Sequence, residues 1–179
     1  MLVGNKVNLR PVDSQDLPIM VEWRNKPRIL NNLFSPYPVT LTQQEKWFHD
    51  YINRGDERLF IIETKDGRRV GTVGLSKIDH RNQSAEFGRL MIGEDEELAK
   101  GYALDGTLTL LKFAFQELNL NRIWLEVFTQ NEVAIGIYTE CGFRQEGTKR
   151  EAVFAGGRFQ DVAVMSILAR EFWMLNGAK

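Results

Sequence analysis

The hydrophobic pattern of this 179-residue chain changes its period at Gly101, and this change limits the possible folds more than any other feature. Before that point, apolar, β-branched and aromatic residues form three short runs, which is the pattern of an antiparallel meander. After it, apolar residues recur at helical spacing to about Leu118, which predicts a long amphipathic helix. The predicted strands are Leu59–Glu63, Val70–Ile78 and Ala85–Ile92, with a hairpin turn at Asp66-Gly67.

The flanking segments predict further strands and helices. An Asp-x-x-Asp start signal at Asp13 predicts a first helix. Thr42 is interpreted as the start of a Thr-x-x-Glu capping box, followed by a second helix with one apolar face, formed by Trp47, Phe48, Tyr51 and Ile52. The other elements are strands at 7–10, 123–128, 143–154 and 161–168 and a short helix at Glu132–Glu140. The order β-α-α-β-β-β-α-β-α-β-β predicts an α/β (α+β) fold of six to seven strands and about four helices.

Composition limits the class of protein. The 23 basic and 24 acidic residues give a net charge of -1, which argues against bulk binding to nucleic acid or to an anionic membrane. A lone cysteine, Cys141, excludes an internal disulfide and a cysteine-based zinc site, and His49 and His80 are too scattered for a metal cluster. Without a signal-peptide pattern or a membrane-length apolar run, we expect one cytoplasmic domain over residues 1–179.

The start of the long helix is the first candidate site. Free N–H groups at a helix N-terminus can hold a phosphate, and Gly101 would let it approach the backbone closely. The loop before it carries four carboxylates, Glu94 to Glu97, which would repel an anion. Considered alone, the segment is more simply the beginning of a helix.

A second motif, over residues 125–143, bears on the interpretation of this helix start. Leu125-Glu126-Val127, Asn131, Ala134, Tyr138 and Gly142-Phe143 follow the pattern L-E-V-x-x-x-N-x-x-A-x-x-x-Y-x-x-x-G-F. This pattern resembles the GNAT superfamily of acyl-CoA-dependent N-acetyltransferases, and the C-terminal half resembles its branch of ribosomal-protein and polyamine (spermidine) acetyltransferases. The segments Glu22-Trp23-Arg24-Asn25 and Phe87-Gly88-Arg89-Leu90 resemble those of amino-sugar acetyltransferases. The resemblance implies a mixed, mostly antiparallel GNAT sheet and acetyl-CoA as cosubstrate, with no metal.

The same resemblance assigns cofactor contacts. It places a pyrophosphate-binding loop, usually Gln/Arg-x-x-Gly-x-Gly/Ala, at residues 98–103, where Leu98 replaces the leading polar residue. Either this replacement weakens the phosphate contact or Lys100 compensates for it. The implied cofactor residues are Lys100, Gly101, Tyr102, Ala103 and Asn131, together with the backbone N–H of Met91 or Ile92, where the family separates two strands. Asn131 is also a candidate helix cap.

Acetyl transfer from a thioester to an amine needs a base for the amine and a proton donor for the departing thiolate. The resemblance implies Tyr138 as the donor, with a core aromatic as the alternative interpretation. Glu126 alternates with Leu125 and Val127, so it faces the other side of its strand, and it resembles the glutamate that serves some members as base. Glu86 and a water relay are the rivals, and either glutamate is also a candidate for a plain ion pair.

The acceptor amine is the least constrained feature. In this family the pocket is built from the first helices, their loop and the final hairpin. The implied substrate residues are Arg24 and Arg89, which could pair with a sugar diphosphate or form structural ion pairs, and Phe34 and Tyr37 of the loop. Carboxylates are few near the loop, which weakens a polyamine acceptor.

Several functions therefore stay open at this point. The expected acceptor is a small molecule, either an amino-sugar nucleotide or a polyamine, and a protein N-terminus or ribosomal protein is the alternative. A catalytically silent CoA-binding module is an alternative of another class. We expect Cys141 to be a buried structural thiol and His49 to lie at the surface, and an exposed strand edge leaves a homodimer open.

Overall fold

The computed structural model describes residues 1–177, which form eight strands and six α-helices. The strands are β1 (Leu2–Val3), β2 (Val7–Pro11), β3 (Arg58–Thr64), β4 (Arg69–Asp79), β5 (Ser84–Ile92), β6 (Arg122–Phe128), β7 (Arg144–Ala155) and β8 (Arg158–Leu168). The helices are α1 (Leu17–Asn25), α2 (Pro27–Leu30), α3 (Leu41–Ile52), α4 (Tyr102–Gln116), α5 (Glu132–Glu140) and α6 (Ala169–Asn176).

All the strands belong to one sheet with the order β1-β2-β3-β4-β5-β6-β8-β7. Every neighbouring pair is antiparallel except β5 and β6, which run parallel. The expected mixed, mostly antiparallel fold is therefore confirmed. The counts exceed the prediction because the sequence pattern did not reveal the two-residue strand β1, the one-turn helix α2 or the C-terminal helix α6.

One predicted helix start is wrong by two residues. The N-cap of α3 is Thr40, whose hydroxyl accepts a hydrogen bond from the Gln43 N–H at 3.2 Å, and Gln43 Oε1 accepts one from the Thr40 N–H at 2.8 Å. This capping box takes the place of the one predicted at Thr42, so the helix begins at Leu41. Ile52, expected on the apolar face, is 59% exposed.

The two faces of the sheet carry different helices. Ile123, Leu125 and Val127 of β6 join the main core, to which α4, α5 and α6 contribute. A smaller core joins β3 to α1 and α3 on the opposite side of the sheet. We call the side that carries α1 and α3 the α1 face, and the side that carries α4, α5 and α6 the α4 face. Because side chains alternate along a strand, Trp124 and Glu126 lie on the α1 face.

β5 and β6 separate soon after they meet. They pair only at Ser84–Arg122, Ala85–Ile123 and Glu86–Trp124. Register shifts interrupt the β4–β5 ladder, and Arg89 adopts a left-handed backbone with φ +54°, which is the kind of irregularity that bends a strand away from its neighbour. From Phe87 onward an opening therefore lies between the two strands.

Candidate active site

Tyr138 lies at the base of this opening, on the α4 face. Its ring packs edge-to-face on Phe87, with ring centroids 5.7 Å apart, and against Phe143 at 5.9 Å. Phe87 is the first residue of β5 beyond the segment paired with β6. Tyr138 is only 9% exposed, and burial raises the pKa of its hydroxyl. The phenol therefore keeps its proton at neutral pH, as a proton donor must.

The backbone of β5 distinguishes Ile92 from Met91. The Gly93 N–H donates to the Val70 carbonyl at 2.7 Å, and the next register pairs are Gly71–Ile92 and Thr72–Met91. Because hydrogen-bonded and non-bonded pairs alternate in an antiparallel ladder, the Met91 N–H points toward β4 and the Ile92 N–H points into the opening. Between the two predicted donors, the geometry thus favours Ile92.

The start of α4 fits a phosphate group. Its N-cap is Gly101, with φ +81° and no side-chain cap, so the first N–H groups of the helix have no side-chain acceptor. The left-handed backbone explains why glycine stands there, and a Cβ on residue 101 would lie 2.8 Å from Lys6 Nζ. Tyr102 and Ala103 contribute the free N–H groups, as the resemblance implies.

The acidic loop before α4 is partly neutralised. Glu94 accepts a hydrogen bond from Trp23 Nε1 at 2.7 Å, and Asp95 pairs with Arg28. Glu97 is bound by Arg68 at 2.5 Å and by Lys100 at 2.8 Å, and these hydrogen bonds lower its pKa. The repulsion expected from the loop is therefore reduced, but Lys100 is held by Glu97.

Asn131 lies at the start of α5, just beyond the end of β6. Its Oδ1 accepts a hydrogen bond from the Ala134 N–H at 3.2 Å, so it serves as the N-cap of this helix. α5 follows β6 as α4 follows β5, so both helices begin at the carboxyl ends of the two parallel strands, where ligands of such sheets commonly bind.

The two candidate bases lie on the α1 face. Glu126 is beyond the part of β6 that pairs with β5, beside the opening, and forms an ion pair with Lys149. Glu86 is the last residue of β5 that pairs with β6, and its carboxylate binds Lys77 Nζ at 2.8 Å. Both lysine side chains are more than half exposed, so these pairs are weak and a ligand can displace the lysines.

The predicted substrate residues are spread over the same face. Arg89 lies over the Trp47 ring at 5.2 Å and forms a 2.5 Å ion pair with the buried Glu57, the structural arrangement that the sequence left open for it. Arg24 donates to the Ser35 carbonyl at 3.4 Å, and burial together with nearby Arg89 lowers its pKa. Phe34 packs edge-to-face on Phe128 at 4.8 Å, whereas Tyr37 is 73% exposed.

Two residues near the cofactor loop had not been singled out from the sequence. Asp105, in the first turn of α4, accepts hydrogen bonds from the backbone N–H groups of Asn5, Lys6 and Val7 at 3.1, 2.8 and 2.9 Å. The sequence did contain a local signal for Asp105, because an acidic residue in the first turn of a helix commonly interacts with free backbone N–H groups. Lys6 had no such signal, because 94 residues separate it from the Lys100 carbonyl to which its ammonium donates.

Cys141 is buried, as expected, and His49 lies at the surface with 79% of its side chain exposed. Within residues 1–177, no three His, Cys, Asp or Glu side chains are grouped in a way that could bind a metal ion. None of the helices in the same residues combines the length and apolar character that crossing a bilayer requires.

Comparison with known proteins agrees with this geometry. Residues 6–144 match the family described as Acetyltransferase (GNAT) domain. The chain is 31% identical over 170 residues to spermidine N(1)-acetyltransferase of Vibrio cholerae, covering 95% of this chain and 97% of that protein. The corresponding Escherichia coli K12 enzyme is 29% identical over 169 residues, with coverages of 94% and 89%.

A solved structure shows the same fold. The crystal structure of the V. cholerae spermidine N-acetyltransferase in complex with CoA and spermine superposes with a TM-score of 0.87 at 32% identity, covering 93% of this chain and 98% of that one. The chain therefore belongs to the GNAT family of acetyltransferases, which transfer the acetyl group of acetyl-CoA to an amine.

Proposed function

We propose that this N-acetyltransferase acetylates a primary amino group of a polyamine, in a ternary complex at the opening between β5 and β6. The observation that carries the proposal is similarity over nearly the whole chain to enzymes that are spermidine acetyltransferases. The α1 face adds local support. Glu126 and Glu86 already bind the primary ammonium groups of Lys149 and Lys77, which are the groups that a polyamine would present.

Each residue at the opening has a distinct role in this proposal. Acetyl-CoA, when bound, supplies the acetyl group as a thioester. Glu126 accepts a proton from the substrate ammonium, so that the neutral amine can attack. The Ile92 N–H donates to the carbonyl oxygen as negative charge develops on it. As the carbon–sulfur bond breaks, Tyr138 gives its proton to the departing sulfur, and the second proton lost by the attacking nitrogen restores the phenol through solvent.

The remaining predicted residues have supporting roles. Tyr102 and Ala103 hold the cofactor diphosphate at the start of α4, and Gly101 gives it access to the backbone. Asn131 fixes the start of α5, which carries Tyr138. Glu86, held by Lys77 at the base of the opening, is the second candidate base.

A specific observation favours a second acceptor class. Arg24 is half-buried and has no carboxylate partner among the residues that the structure describes. A half-buried guanidinium without a carboxylate partner favours an anionic ligand, such as the diphosphate of an amino-sugar nucleotide. Arg89 is less available for this role because Glu57 holds it.

The test is a panel of acceptors with acetyl-CoA, in which released CoA is measured with a thiol reagent. Spermidine and spermine should give the highest kcat/KM, and Arg24→Gln should leave these values within about threefold. Selective turnover of an amino-sugar nucleotide that is lost in Arg24→Gln would establish the second class instead. Preference for a peptide N-terminus or a ribosomal protein would contradict both, and tight CoA binding without turnover would indicate a silent module.

The assembly and its location complete the proposal. β7 is an edge strand of twelve residues that is exposed over almost its whole length, and such an edge favours pairing with a second copy. We expect a homodimer by light scattering, and Thr148→Pro on β7 should shift it to monomer if that edge forms the contact. A cytoplasmic location, a single domain over residues 1–179 and the absence of nucleic-acid and membrane partners stay predictions, and residues 178–179 lie outside the described part.

A further inference from the structure

The cofactor loop lacks the polar side chain that usually begins it. Leu98 stands at that position and is 43% exposed. Lys100 was the candidate to compensate, but its ammonium binds Glu97 at 2.8 Å, and Glu97 is itself only 3% exposed. Neither residue of the loop therefore offers an available cation to a phosphate at the start of α4.

A lysine from the other end of the chain lies at this position. Lys6, in the turn between β1 and β2, donates from Nζ to the Lys100 carbonyl at 3.1 Å. The same nitrogen lies 2.8 Å from where a Cβ on Gly101 would be. The Lys6 ammonium thus lies beside the glycine at which a diphosphate would meet the helix.

The position of Lys6 is fixed by the helix itself. Asp105 is 8% exposed and accepts the N–H groups of Asn5, Lys6 and Val7. Lys65 supports the same turn by donating to the Gly4 carbonyl at 2.7 Å. The turn and the first turn of α4 are therefore tied together, so that Lys6 is held near the helix N-terminus.

We propose that Lys6 is a further cofactor-binding residue, whose ammonium pairs with the diphosphate of acetyl-CoA, and that Asp105 is the positioning residue for Lys6. Lys6 supplies the cation that the loop lacks, and the free N–H groups of α4 supply the remaining donors. The inference rests on acetyl-CoA being the acyl donor of the proposed function, but it does not depend on the acceptor.

The first test measures CoA binding to the whole protein by calorimetry. Lys6→Gln should weaken binding about tenfold, the effect of losing one charge-assisted hydrogen bond at a partly exposed site. Lys6→Arg should restore most of the affinity. Lys112→Gln, which removes the same charge from the exposed side of α4, should bind CoA as the wild type does.

The second test uses S-acetylpantetheine, a donor that has the thioester but no diphosphate. Lys6→Gln should leave kcat/KM for this donor within twofold of the wild type, while kcat/KM for acetyl-CoA falls about tenfold. Asp105→Asn should show the same selectivity, and the double variant should lose little more than Lys6→Gln alone, because both act through one contact.

The outcomes separate this inference from the proposed function. Unchanged CoA affinity in Lys6→Gln, or an equal loss with S-acetylpantetheine, would overturn the role of Lys6 alone. Failure of the wild type to bind CoA at all would overturn the proposed function and with it this inference.

Discussion

The two faces of the sheet differ most where β5 and β6 separate. On the α4 face, Tyr138 is packed among Phe87 and Phe143, and burial keeps its hydroxyl protonated. On the α1 face, Glu126 is partly exposed and lies against the ammonium of Lys149. The α4 face is therefore apolar around the candidate acid, and the α1 face is charged around the candidate base.

This difference between the faces is consistent with the direction of proton transfer in the proposed reaction. In the proposed reaction, a proton leaves the substrate on the α1 face and another is delivered to sulfur on the α4 face, and the opening connects the two faces. In the proposal, Tyr138 is the acid because burial raises the pKa of its hydroxyl, and Glu126 is the base because it lies beside the opening with its carboxylate against a lysine. Exclusion of water from the α4 face and charge on the α1 face therefore have separate measurable consequences.

The largest expected effect concerns Cys141, which shares the apolar face with Tyr138. Burial raises its pKa to about 12, from an ordinary value of 9.0. Alkylation by iodoacetamide at pH 8 should therefore be about a thousandfold slower in the native protein than in the unfolded chain, since only the thiolate reacts. Mass spectrometry over time measures both rates. Rates within tenfold of each other would show that water reaches this face freely.

Removing the proton donor should have the next largest effect. Tyr138→Phe should lower kcat about a hundredfold, because the departing thiolate loses its acid while the ring still fills the same space. Steady-state kinetics should find the KM for acetyl-CoA nearly unchanged. A kcat within threefold of the wild type would leave Tyr138 with only the core role considered for it from the sequence.

A change on the charged face should cost less. Glu126→Gln should lower kcat/KM about tenfold to a hundredfold and remove the single-proton rise of kcat/KM with pH, because the amide cannot accept the substrate proton. Lys149→Gln is the matched control, since it removes the ion-pair partner and keeps the base, and its profile should retain the rise. An unchanged profile in Glu126→Gln, with loss of the rise in Glu86→Gln, would transfer the role to Glu86.

The smallest expected effect is on stability. Hydrogen bonds from Arg122 and Ser166 lower the pKa of Glu146 to about 2. A carboxylate whose pKa is lowered in the folded state stabilises the fold at any pH above its ordinary pKa of 4.5. This stabilisation is lost as the pH falls from about 4.5 toward 2. Because Glu146 is 42% exposed, the loss should stay below about 1 kcal/mol.

Thermal unfolding of the wild type and of Glu146→Gln between pH 6 and 2.5 measures this contribution. The difference in Tm between them should be greatest at pH 6 and shrink toward pH 2.5. A constant difference would mean that Glu146 is not held as a charged partner of Arg122.

Local patterns in the sequence were enough to predict most of the fold. The predicted helix Glu132–Glu140 matches α5 at both ends, because its cap at Asn131 and its stop at Gly142 are local signals. The start of α3 was missed because Thr40 and Thr42 each begin a Thr-x-x-Gln or Thr-x-x-Glu pattern, and only the backbone shows which one forms the cap. Helix α6 follows a strand directly and was not recognised.

The site required contacts that the sequence pattern does not contain. The four carboxylates before α4 suggested repulsion of an anion, but Arg28 and Arg68, from distant segments, neutralise two of them. Likewise, Lys100 was the natural local substitute for the missing cation, whereas the fold brings Lys6 to the glycine. Charge balance at a loop depends on tertiary neighbours, so residue type and spacing alone do not determine it.

The most direct test of the two-faced site is a crystal structure with a bisubstrate compound in which CoA sulfur is joined to spermidine through an acetyl bridge. The sulfur should lie within about 3.5 Å of the Tyr138 hydroxyl, with the polyamine chain beside Glu126 on the α1 face. A complex in which the sulfur is far from Tyr138, or in which both halves of the compound lie on one face, would contradict this arrangement.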